Sequence, residues 1–318
     1  MKIQRRTNLL WGLLFFSIAL ILLLNTFDVI PSGLYDLLVR AWPALFIVFG
    51  VSTLLRPRIP LSGAIAIVVS ALLVGGMAAV AYTNRAEEER SDQLKAITQT
   101  ISEEVNLLEI SLETLMTDVE VESSPDRAAG ITGEFVGSTE SVIAISYAEG
   151  TDNRATFTVR ETRPDQFPNL EAVGRGVLRL QIPTDIAVAI SFAGEDGEVT
   201  FNMSDLALER LSLVTQNGNV LVTMPEYAPL SPNAAEQPGN ITARNGAVTL
   251  FIPEAVAVRL SLEREGSEIR PEFDENIYRY LEGDTLEART YETADIRLNY
   301  VITAPNGLIR VENAAGSS

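Results

Sequence analysis

Glu195, Asp196 and Glu198 crowd around Gly197, and carboxylate oxygens gathered this way are the ligand type that calcium takes. The alternating ligand positions and distal glutamate of a calcium-binding loop are missing, so an exposed acidic hairpin turn is the favoured reading. Tyr278 and Tyr280, with Arg279 between them, could offer an aromatic face to a ligand; two partly buried strand aromatics explain them as well. Asn202 with Ser204, and Asn240 with Thr242, match the N-glycosylation sequon, a pattern common by chance. No serine lies in a G-x-S-x-G elbow, and no glycine-rich loop is built to cradle phosphate.

Histidine and cysteine are both absent. The first absence removes the commonest general base, the usual zinc ligand and the near-neutral pH switch. The second removes disulfides and thiolate metal sites. No catalytic, cofactor-binding or metal residue is therefore assigned, no cofactor is implied, and the chain reads as a non-enzyme. The whole chain carries a net charge of -18. Six basic and two acidic residues in the first 84 make that part +4, which leaves -22 for the remainder. Such an acidic body repels phosphate backbones, so nucleic acid is excluded as a partner.

Positioning falls to two very different segments. Ile59 to Asn84 runs without a charge, long enough as a helix to cross a ~30 Å hydrocarbon core. Before it lie two further apolar runs. The spacing predicts a membrane module over 1–84 with spans at about 8–25, 38–55 and 60–83. Leu9 to Leu24 follows a basic start but lacks a small-x-small cleavage site, so it reads as a retained span. The second run is short, and Arg40 must snorkel for it to cross; a re-entrant segment is the alternative. Trp11, Arg40, Trp42, Arg56 and Arg58 are the expected interface anchors. Lys2, Arg5 and Arg6, with Arg56 and Arg58 in the RPRIP turn, place those ends in the cytoplasm, so three crossings export the C-terminal body. Ala71, Gly75 and Ala79 form a small-residue stripe for helix packing. Contact with the chain's own first two helices accounts for the stripe more simply than a homo-oligomer does.

Residues 85–97 read as a charged, helical linker, followed by an extracytoplasmic β domain over 98–314 and a disordered tail at 315–318. Within the domain the apolar period becomes two, with Gly, Asn, Asp and Pro punctuating short strands. Three strands, starting at Val177, Val220 and Val248, each end in proline, and Asn-Gly pairs at 217, 245 and 306 precede strands. That loose repeat predicts an all-β domain of stacked rungs, a β-solenoid; a β-sandwich is the alternative.

The run from Trp11 to Asn25, a short loop, and Trp42 to Gly50 resemble the membrane module of LiaF-like cell-wall-stress regulators. Ile110 to Val159 resembles the toast-rack domain of related envelope proteins, and the later Asn-Gly strand repeats resemble the adhesin-type β-solenoid family. The resemblance implies a cell membrane protein that senses or modulates envelope stress, with a membrane sensor protein or an envelope component as partner besides the bilayer. A structural or adhesive surface protein anchored by its spans is the alternative. The family has no catalytic residues to carry over.

Overall fold

The computed structural model describes residues 75–76, 79–125, 130–164, 172–229, 239–263 and 271–314. The chain divides into two compact units, Met1–Glu88 with Pro164–Gly174, and Glu89–Arg163 with Arg175–Ser318. In the first, residues 79–86 are helical, the Thr83 hydroxyl donates to the Ala79 carbonyl, and Arg85 pairs with Glu88 one turn on. Among the described residues no helix is long and apolar enough to cross a membrane. The expected spans, and with them Trp11, Arg40, Trp42, Arg56, Arg58 and Ala71, lie outside the described residues apart from 75–76 and 79–83.

The second unit is all β. It opens with β1 (Gln93–Gln99) and the 18-residue β2 (Leu107–Ser124). Next come β3 (Ile131–Gly137), β4 (Val142–Glu149), β5 (Arg154–Thr162) and β6 (Gly176–Pro183). The middle holds β7 (Ala187–Asp196), β8 (Val199–Asn202), β9 (Ala207–Asn217), β10 (Val220–Thr223), β11 (Gly239–Asn245) and β12 (Val248–Ile252). The end holds β13 (Val256–Glu263), β14 (Glu272–Phe273), β15 (Tyr278–Leu281), β16 (Thr285–Ala288), β17 (Ile296–Thr303) and β18 (Ile309–Asn313). One expectation is corrected here. Strand structure starts at Gln93, inside the stretch read as linker, because Gln93 to Gln99 already pairs with β3. Leu107 to Ser124 form one long element, β2, rather than two short strands.

Hydrogen bonding joins the strands into two ladders that share β2. One runs β4-β5-β2-β7-β9-β11-β17-β13-β16-β15, the other β1-β3-β6-β2-β8-β10-β12-β18-β14. From β5 to β13 in the first and from β6 to β14 in the second every neighbour is parallel, so like residues stack on like. Chain order and ladder order part company at the far end, where β17 and β18 insert between the β11/β12 and β13/β14 rungs.

Alternation along each strand sends one face inward. In the first ladder Leu112, Phe192, Leu213, Ile241, Ile302 and Leu262 form one buried column. In the second, Val121, Phe201, Val222, Leu250 and Val311 do the same. Phe192 and Phe201 bridge the two faces edge to face at 6.0 Å. Each rung buries its apolar side on the rungs above and below, which is how such short strands form a stable core.

Candidate functional surface

The corner between the ladders is built from glycine and asparagine. Gly218 sits at φ +130 and Gly197 at φ +152, where a side chain is strained. A Cβ on Gly218 would fall inside the Gly197 carbonyl, one on Gly246 inside that of Gly218, and one on Gly307 inside that of Gly246. The residue preceding each glycine carries the second part of the pattern. Asn217 Nδ2 donates to Asp196 Oδ1 at 2.7 Å, Asn245 Nδ2 to Asn217 Oδ1 at 2.9 Å, and Asn306 Nδ2 to Asn245 Oδ1 at 2.8 Å. Side-chain amides thus repeat the backbone ladder in parallel.

The acidic stretch at Glu195 to Glu198 starts this ladder and is a rung corner, not a hairpin turn, because β7 continues into β8 without reversing. Asp196 takes the Asn217 amide, and Glu198 takes Asn219 Nδ2 at 3.3 Å. Among the described residues no group of three or more acids, histidines or cysteines is placed to hold a metal ion.

Two buried carboxylates escaped the sequence reading. Glu161 is 3% exposed and accepts N–H groups from Leu115 and Met116 at 2.8 and 3.1 Å, and the Thr117 hydroxyl at 2.7 Å. The Ser141 hydroxyl and Arg163 Nε complete its shell. Those backbone groups lie where β2 passes from one ladder to the other. Thr117 occupies the place in the corner column that Gly197, Gly218, Gly246 and Gly307 fill in the other rungs, and Glu161 satisfies the N–H groups freed there. Burial works against its charge, but these donors hold the carboxyl below the usual carboxylate range. The readable signal was parity, since Glu161 lies on the same side of β5 as Ala155, Phe157 and Val159.

Glu287, 1% exposed, is the second. Burial again opposes its charge, and bonds from Arg279 and Arg259 more than offset this, lowering its pKa. Arg259 also lies 4.1 Å over the Tyr291 ring. Next to this knot the expected tyrosine pair is split. Tyr278 is buried with its hydroxyl on Asn313 at 3.0 Å, whereas Tyr280 is 42% exposed and stacked on Phe273. Of the two sequons, Asn202 is the exposed last residue of β8, where its Oδ1 takes the Ser204 hydroxyl at 3.0 Å, and Asn240 lies within β11. Gly75 and Ala79 are exposed in the first unit, and among the described residues nothing lies within 4 Å of a Cβ built on Gly75.

A shallow recess of about 440 Å³ lies on the outer face of β2, β3 and β6. Arg179 spans it, pairing with Glu120 at 2.9 Å and Glu134 at 3.3 Å, while Glu122 also lines it, so the recess stays net acidic. What the surface offers is repetitive, hydrogen-bonded and largely self-satisfied.

Residues 10–84 match the LiaF transmembrane domain. The N-terminal part of the chain is therefore similar to a LiaF-type membrane module, which points to membrane association. No match exists among the curated proteins. Among solved structures the body is similar to a "putative cell adhesion protein" from Clostridium sporogenes, at 14% identity and TM-score 0.55, covering 70% of this chain and 100% of that one. A "putative adhesin" from Bacteroides fragilis aligns at 11% identity over 70% of this chain and 98% of that one, with a TM-score of 0.25 too low to carry an argument. The Clostridium likeness shows shared fold alone.

Proposed function

We propose that this LiaF-type membrane protein is a non-enzymatic modulator of envelope-stress signalling, with a β-solenoid body exported by three spans. The match of residues 10–84 to the LiaF transmembrane domain carries the reading. Basic residues at the N-terminus and in the RPRIP turn support export of the acidic body. The in-register parallel ladders support a solenoid over a sandwich, whose hairpin-linked strands would be antiparallel. An exported body cannot touch the cytoplasmic part of a membrane sensor protein, so the spans are the route by which it biases such a partner there.

The Clostridium likeness favours a second reading, an adhesive surface protein for which the spans are only an anchor. Gly75→Leu separates the two. A modulator loses its stress response while surface levels hold; an unchanged response at equal levels rejects that reading. Recovery of partners from membranes with the intact chain but not with its body points the same way.

A further inference from the structure

At one end of the first ladder, β4 pairs with β5 in antiparallel register, with Glu149 opposite Ala155 and Val142 opposite Thr162. The Gly150 N–H bonds the Arg154 carbonyl at 2.7 Å. Antiparallel pairing alternates, so the even-numbered residues of β4 direct their peptide groups to β5. Ile143, Ile145, Tyr147 and Glu149 direct theirs away from it. The bond from Lys95 Nζ to the Ile143 carbonyl at 2.8 Å fits this parity. Among the described residues β4 has no strand partner besides β5.

This edge lacks the usual protection. Val142 to Ala148 contains no charge, no proline and no bulge, and Val142, Ala144, Ser146 and Ala148 are exposed. In a body of net charge -22, an eight-residue edge charged only at its last residue stands out.

We propose that β4 pairs with β4 of a second copy of this chain, antiparallel about a two-fold axis at Ser146. Only this register pairs all four outward-facing residues: Ile143 with the partner's Glu149, Ile145 with the partner's Tyr147, and the reciprocals. It sets Ala144 against the partner's Ala148 and Ser146 against itself, small side chains suited to close approach. It also brings the partner's Glu149 beside the carbonyl held by Lys95, giving two symmetric opposite-charge pairs. Two bodies of like charge repel, and one strand edge is a small interface. The membrane anchor supplies the local concentration that such an interface needs.

The chain has no cysteine, so single substitutions read the register directly. Across a non-hydrogen-bonded antiparallel pair the Cα atoms lie about 4.5 Å apart, within disulfide range. Oxidation of full-length S146C in its native membranes converts most of the chain to a disulfide dimer. A144C alone stays monomeric, and A144C mixed with A148C cross-links. Lys95→Glu added to S146C lowers the yield several-fold. No S146C dimer in membranes, or A144C cross-linking as well as S146C, overturns the proposal.

Discussion

Asn245 donates from Nδ2 to Asn217 Oδ1 at 2.9 Å, one rung to the next, and Asn217 passes the pattern on to Asp196 at 2.7 Å. Asn217→Ala removes both bonds and is expected to cost about 1–2 kcal/mol by denaturant unfolding. Asn217→Asp sets a second carboxylate against Asp196 and should cost more than Asn217→Ala.

A corner glycine and a hairpin-turn glycine differ in what they exclude. Gly218→Ala meets both a positive φ and the Gly197 carbonyl, and should cost about 3 kcal/mol or more. Gly283→Ala meets the positive φ alone, with nothing within 4 Å of the added carbon, and should cost about 1 kcal/mol. Equal losses in a thermal or denaturant melt would remove the stacked-corner account.

Glu161 is ionised and fully bonded in the folded body. Its lowered pKa means that its contribution is complete above the ordinary 4.5 and is lost as pH falls below it. Glu161→Gln keeps the shape and one acceptor oxygen, but it removes the charge and turns the other position into an N–H donor facing the Arg163 or backbone N–H groups, and should lose about 3 kcal/mol at pH 7. The variant's stability should then fall less steeply than wild type between pH 4.5 and 3.

Phe201 fills the inner column between Val121 and Val222 and touches Phe192 across the core. Phe201→Ala is expected to cost about 3–5 kcal/mol, because neighbours fixed in ladders on both sides cannot collapse into the space. Leu221→Ala, on the outer face of the neighbouring strand, should change stability little.

Period-two alternation and the Asn-Gly repeats made the rungs legible, since each Asn-Gly marks a corner where the chain changes ladder. The insertion of β17 and β18 ahead of β13 and β14 left no local trace, because strand order depends on contacts far apart in sequence. Residue spacing from Leu107 to Ser124 hid a single long strand, since β2 turns its corner with Thr117 where other rungs use glycine. Glu161 was readable from parity, but a charge among inward positions looks like an error until its donors are seen. Asp196 and Glu198 read as an exposed hairpin turn because sequence shows the acids together and not the asparagines stacked on them.

The export of the β body is tested most directly by labelling. Ser191 is exposed on the outer face of β7, and Ser191→Cys would be the chain's only thiol. A membrane-impermeant maleimide added to sealed, right-side-out cells should label Ser191→Cys fully and leave Ile59→Cys, in the RPRIP turn, unlabelled until lysis. Labelling of Ser191→Cys only after lysis, with Ile59→Cys reactive on intact cells, would contradict the account.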